Sequence, residues 1–258
     1  ESLPEGDGIE LIKHQASERG RTLSDDECTN IYNATEGIPL TIVYAIGRIA
    51  NGYSVQTVLN RIDSATGDVA HFLFEDCVQE MRGKPEHKLL MSLAMFPDPP
   101  VQDAVAEVAG LIADRIDPED GLVQLQNLGL IQIQQKDGRY TMLSLTREYA
   151  KLELVACPDF NKKARERWVN WYLDFAKEYG GEDWEEWHNN FNRLENEWGN
   201  LLAVLYWCKE KERYENVRDL WQSLNDFMRL YGYWQDRIDW LEWLIEASKE
   251  HGELATTV

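Results

Sequence analysis

The sequence predicts a mainly α-helical protein that carries one small β-hairpin and ends in antiparallel helical hairpins. Three observations point there. Apolar residues of helical period over 86–95, 101–109 and 117–128 run into two strand-like stretches, 129–134 and 138–143, separated by Gln135, Lys136 and Asp137. All ten tryptophans lie at or after Trp168, so the two ends of the chain build different cores. Beyond residue 160 the apolar positions recur at i, i+3, i+4 and i+7 in four successive stripes. Three helices followed by a hairpin is the order of a winged helix, and the expected domains are a helical subdomain over 1–67, a winged helix over 68–156 and helical hairpins over 157–258.

Taken in order, the first helix is expected over 9–15, after a linker-like Leu3-Pro4-Glu5-Gly6-Asp7-Gly8. A second starts after Ser24, which can cap it, and Asp25, Asp26 and Glu27 suit the positive end of its dipole. It is expected to end near Glu36-Gly37. Gly37-Ile38-Pro39-Leu40 then opens a third helix over 40–51, with proline in the first turn, where a missing N–H costs least. Gly52 closes it, and helices over 55–62 and 69–82 lead into the winged-helix block. After the hairpin a helix is expected over 146–155, and Pro158 marks a joint, because proline disfavours helix in the residue before it.

The four stripes beyond the joint are Trp168, Trp171, Tyr172, Phe175 and Tyr179; Phe191, Leu194, Trp198, Leu201, Leu202 and Leu205; Tyr214, Val217, Leu220, Trp221, Leu224, Phe227, Met228 and Tyr231; and Trp234, Ile238, Leu241 and Ile245. Four antiparallel helices are expected. The breaks at Gly180-Gly181, 210–212 and Gly232 are short enough for hairpins of the tetratricopeptide-like kind, and the last hairpin reads as unfinished. Aromatic residues in so regular a stripe read as packed core and not as a ligand cage.

Charge argues against nucleic acid. Twenty-six basic against 46 acidic residues leave a formal net charge of −20, and the stretch from Asp120 to Leu128, which would enter a major groove, holds no Lys or Arg. A phosphate-binding face needs such cations. The winged helix is therefore expected to touch protein. The four cysteines, Cys28, Cys77, Cys157 and Cys208, form no C-x-x-C pair, and no stretch is apolar enough to span a membrane or act as a leader, so a reduced, cytoplasmic chain is expected. The acidic run Glu182-Asp183-Trp184-Glu185-Glu186 has no spaced partner for a metal site and reads as a solvated loop. His14, His71, His87, His188 and His251 are dispersed, and there is no G-x-x-x-x-G-K-[ST] loop, H-E-x-x-H or G-x-S-x-G. Alone, the chain is expected not to be an enzyme.

The helix, Gly37-Ile38-Pro39-Leu40, helix unit, the segments 86–96, Ala109-Gly110 and 122–131, and the run 140–150 follow one another as in the second half of an NB-ARC-type signalling ATPase of the STAND class, which this chain resembles up to about residue 155. The helices after Asn161 resemble the repeats that follow in bacterial members, with Glu197, Asn200 and Leu201 matching a recurring Glu-x-x-Asn-Leu signature. The resemblance implies a switch. In it a P-loop core, here expected upstream in a longer parent protein, closes with the helical subdomain and winged helix around ADP and reopens on exchange for ATP. It also implies that the repeats meet a protein partner or trigger and that activation brings oligomers, while charge and hydropathy lead to the expectation that no DNA and no membrane is engaged.

By the same resemblance Gly37, Ile38, Pro39 and Leu40 lie beside the adenine of ADP or ATP in the parent, while the fragment itself is not expected to hold nucleotide tightly. The family's Met-His-Asp triplet, whose imidazole reaches the ADP phosphates, is matched by Met142, Leu143 and Ser144, and leucine cannot donate a hydrogen bond. Leu143 and Leu145 are expected instead to pack the hairpin end against the following helix. Two other readings stay open: a protein-binding scaffold without nucleotide, and a winged-helix transcription regulator.

Overall fold

The computed structural model describes residues 2–64, 69–181 and 187–251, and among them the chain is mainly α: fifteen helices and one two-stranded sheet. Two compact units result. Glu1–Met95 with Val101–Phe160 form the first, and Phe96–Pro100 with Asn161–Val258 form the second. The expected boundary at 67/68 falls among residues outside the described ones and within the first unit.

In the first unit α1 (Glu5–Glu18) begins four residues earlier than the sequence suggests and takes in the linker-like glycines. Gly8 is tolerated there because the Tyr32 ring occupies the place of a Cβ. Helix α2 (Asp25–Ala34) starts on a complete capping box: Glu27 N–H donates to Ser24 Oγ at 3.3 Å, and Ser24 N–H donates to the Glu27 carboxylate at 2.8 Å. Helix α3 (Pro39–Ala50) opens on its proline and is buried without interruption from Thr41 to Ile49, so it is the centre of this unit. It packs on α1 and on α5 (Val69–Met81), with α4 (Val55–Ser64) alongside.

Helices α6 (Pro85–Leu93), α7 (Gln102–Ala109) and α9 (Glu119–Asn127) stand where three were expected. A further turn, α8 (Leu111–Asp114), lies between left-handed Gly110 and left-handed Arg115. Strands β1 (Gln132–Ile133) and β2 (Tyr140–Thr141) pair antiparallel, Gln132 opposite Thr141 and Ile133 opposite Tyr140. The ladder is much shorter than the strand-like runs. Gln132 and Ile133 are both exposed, so β1 lacks the one-sided burial that would extend and fix a register. Helix α10 (Ser144–Ala156) follows, and a single residue, Cys157, separates it from α11 (Pro158–Tyr179). Gly47 brings α3 against residue 128, for a Cβ there would overlap the Leu128 carbonyl.

The second unit is built by α11, α12 (Trp187–Asn196), α13 (Trp198–Glu210), α14 (Tyr214–Tyr231) and α15 (Trp234–His251). The stripe expected to form one helix from Phe191 to Leu205 forms two, because Glu197 leaves helical geometry (φ −107°, ψ 7°) to turn its carboxylate inward. The aromatic stripes are core, as expected: Trp168, Tyr172, Phe191 and Phe227 are buried, and Trp198 stacks on Trp240 with ring centroids 5.9 Å apart. The last stripe corrects the sequence reading. Trp234, Ile238 and Ile245 are exposed, and α15 buries Trp240, Leu244 and Ser248 instead, spaced by four. Gly232, left-handed at φ 84°, ends α14 with Tyr233 N–H bonded to Met228 C=O at 2.9 Å.

The capping box gives a direct test of local structure. Ser24→Ala is expected to lower stability by about 1 kcal/mol, read as a reduced midpoint in urea unfolding followed by circular dichroism at 222 nm.

Candidate functional site

The segment from Tyr32 to Thr41 is closed by backbone geometry before any side chain is considered. Helix α2 ends in a Schellman motif: Gly37 N–H donates to Tyr32 C=O at 3.1 Å and Glu36 N–H to Asn33 C=O at 3.2 Å. Glu36 and Gly37 are both left-handed, at φ 52° and 66°. Only glycine suits the second position, since a Cβ would lie 2.7 Å from the Tyr32 ring and 2.8 Å from Leu3 C=O.

The chain before α1 is bound to this turn. Leu3 N–H donates to Gly37 C=O at 2.8 Å, and Tyr32 O–H donates to Leu3 C=O at 2.9 Å. Ile38 then takes an extended conformation (φ −75°, ψ 118°) as the residue before α3, with no side-chain cap. Of the four sequence-predicted site residues, Gly37 is buried, while Ile38, Pro39 and Leu40 are half-buried side chains on one rigid turn. Thr41, next in line, is fully buried, and its Oγ1 has no hydrogen-bond partner.

Behind the turn, α3 holds a charge that sequence reasoning passed over. Arg48 is 1% exposed, and its guanidinium makes a two-pronged pair with Glu80 of α5 at 2.7 and 2.8 Å. Asp76 Oδ2 lies 2.9 Å away as an ion pair, Arg61 pairs with Asp76 in turn, and the Tyr53 ring covers the guanidinium at 3.9 Å. Burial disfavours the Arg48 charge, yet the Glu80 hydrogen bonds and the nearby carboxylates outweigh it and raise the pKa. The same bonds from Arg48, aided by the Tyr53 hydroxyl, hold the Glu80 carboxyl down at about 2. Burial beside this cluster pushes the Cys77 thiol up to about 12, which makes it inert. A signal was present: Arg48 is the one charge in an otherwise apolar helix.

Three further polar contacts join α3, Arg82 just after α5, and α6 to α10. Tyr44 and Thr146 share a buried hydroxyl–hydroxyl bond of 2.7 Å. Buried Glu153 accepts from Arg82 at 3.0 Å and lies 3.1 Å from His87 Nε2. Burial lowers the His87 pKa against the opposing pull of Glu153 and so favours the neutral imidazole. At the start of α10 the packing expected for the leucines is not found. Leu143 and Leu145 are 43% and 44% exposed, and Met142 and Thr146 are the buried residues there.

Helix α9 exposes Glu119, Asp120, Val123 and Asn127, with no cation among them. Its C-terminal carbonyls, of Gln126 and Asn127, accept from the Arg19 guanidinium at 3.4 and 2.9 Å, which ties α9 to α1. Among the described residues no group of three or more His, Cys, Asp or Glu could hold a metal ion, and the acidic run 182–186 lies outside them. No described helix is long and apolar enough to cross a membrane. The four cysteines are free, with Cys28, Cys77 and Cys208 buried.

No family model matches the chain. Over 233 residues it is 25% identical to the transcription activator GutR of Bacillus subtilis, an alignment that takes in 84% of this chain and 27% of that protein. The chain thus spans about a quarter of the length of the curated relative it matches. Among solved structures, it is similar to a signal transduction ATPase with numerous domains, carrying a tetratricopeptide repeat sensor, from Pyrococcus horikoshii. There the TM-score is 0.41 and the identity 18%, over 98% of this chain and 39% of that one.

The Glu80 carboxyl supplies a pH test. Its folded pKa, about 2, lies below the ordinary 4.5, so its contribution to stability is fully present above pH 4.5 and is lost as pH falls from 4.5 to 2. In Glu80→Gln that part of the acid dependence is expected to vanish, measured as urea midpoints at pH 5, 4 and 3 beside the wild type.

Proposed function

We propose that this chain is the regulatory, non-catalytic part of a STAND-class ATP/ADP switch. In this reading the first unit is the lid over a nucleotide held by a P-loop core elsewhere in the same polypeptide, and the second unit begins a sensor that meets a protein trigger. The observation that carries the proposal is the turn at Gly37. It is locked by backbone bonds on both sides, and it leaves Ile38, Pro39 and Leu40 half-buried on a surface that has no freedom to collapse.

An adenine base has apolar faces and a polar edge. Three half-buried apolar side chains on a rigid turn fit the faces of the base. Preorganisation matters because no ordering entropy is then lost on binding. Nucleotide binding would supply the energy that closes the lid, and this chain's part is to offer the wall and to hold α3 behind it. With leucine at 143, exposed and without a donor, a phosphate lock through that position is not available, so the lid acts through the base side of the nucleotide.

The similarity to a transcription activator supports a role in controlling gene expression, with the DNA contact made outside this chain. The support is electrostatic. Helix α9 presents acids and Val123 where a reading helix needs cations, on a chain of net charge −20. Duplex DNA added to this chain at 0.15 M salt is expected to show no binding, and a steep salt-dependent affinity would favour a DNA-binding winged helix.

The nucleotide reading is tested in the natural full-length polypeptide by titration calorimetry with ADP. Ile38→Asp, which sets a charge on the proposed wall, is expected to raise the Kd at least tenfold without loss of folding. Unchanged affinity, or a wild-type polypeptide that binds no adenine nucleotide, would sink it.

A further inference from the structure

The Glu-x-x-Asn-Leu signature has no part in the nucleotide wall, yet Glu197 and Asn200 are among the most deeply buried polar residues of the second unit. Their bonds form a closed circuit. Tyr172 O–H donates to Glu197 Oε2 at 2.7 Å, and Asn200 Nδ2 donates to the same oxygen at 2.8 Å. Asn200 Oδ1 in turn accepts the backbone N–H of Asp98 at 3.1 Å. The ring of fully buried Phe96 stands edge-on to Tyr172 at 6.3 Å, which returns the circuit to its start. Gly199 completes the fit, because a Cβ there would overlap the Asp98 carboxylate.

Each residue type is required. Glu197 Oε2 accepts from two donors, so residue 200 has to donate to it while accepting from a backbone N–H. Asparagine does both; aspartate cannot donate and leucine can do neither. A buried network of this kind is tightly coupled, since loss of one member removes a hydrogen bond from its neighbours.

What the circuit grips is Phe96-Pro97-Asp98-Pro99-Pro100, which belongs to the second unit although α6 before it and α7 after it belong to the first. Three prolines in five residues make the segment stiff, so a displacement at one end is carried along it and not absorbed.

We propose that Glu197 and Asn200 are positioning residues that set residues 96–100, and that through this stiff segment a change in the helical hairpins is passed along the chain to α6 and α7. The route is distinct from the joint at Cys157-Pro158, and it does not depend on the nucleotide reading. A trigger that shifts α13 against α11 would open the circuit at Asn200 and release Asp98. The elements moved next are the helices that flank the segment in sequence.

Hydrogen exchange followed by mass spectrometry on this chain tests the proposal with Asn200→Ala. All ten tryptophans lie at or after Trp168, so their near-ultraviolet circular dichroism reports the fold of the second unit alone. The expected result is exchange at least fivefold faster in peptides over 96–100 and over 102–109, with 25–34 unchanged and the tryptophan signal retained. Faster exchange confined to 96–100, or no change there, would overturn it. If Asn200→Ala loses the tryptophan signal, Gly199→Ala decides the matter by the same two results, for it displaces Asp98 and leaves the hydrogen-bonding groups of the circuit in place.

Discussion

A guanidinium buried to 1% exposure is tolerable only if carboxylates come to it, and that requirement organises the first unit. Arg48 sits on α3, which is buried along nearly its whole length, and its partners Glu80 and Asp76 sit on α5. The pairing fixes the rotation of α5 about α3 as apolar packing alone would not, because a leucine accepts many neighbours and a guanidinium fork accepts few. From the same helix Tyr44 reaches Thr146 on α10, and Gly47 receives the backbone of Leu128. Removing a carboxylate partner leaves the buried guanidinium short of compensation, which is destabilising.

The proposed site depends on that scaffold. Pro39 opens α3, so whatever fixes α3 also fixes Ile38, Pro39 and Leu40, while the bonds from Leu3 and Tyr32 hold the turn from its other side. The turn has no local means of changing shape, and a ligand that met it would find a surface already formed. A switch built on it works by moving rigid pieces. The stiff proline segment at 96–100 and the first turn of α11, at residues 160–161, are the places where such pieces join in sequence.

Features set by near neighbours were legible in the sequence. Ser24 and Glu27, three residues apart, signalled a cap and made a capping box; Pro39 opened α3, Gly232 ended α14 and Pro158 restarted the chain. Features set by distant partners were not. Arg48 and Glu80 are 32 residues apart, Glu153 and Arg82 71, and no local period joins them. A lone arginine in an apolar helix was the available clue. The face of α15 was misread for a related reason: its tryptophans and isoleucines offer two apolar stripes, and packing against α14 and Trp198 decides which one is covered. At Glu197 the apolar stripe ran on while the polar circuit behind it broke the helix. The half-buried turn at Gly37–Leu40 was located by sequence, but its lock by Leu3 and Tyr32 was not.

The most direct measurement is hydrogen exchange at residues 40–42 of the natural full-length polypeptide, with and without saturating ADP. A nucleotide wall at the start of α3 predicts slower exchange there on ADP binding, with residues 214–231 of α14 unchanged. Equal exchange at 40–42 in a polypeptide that demonstrably holds ADP would contradict the account.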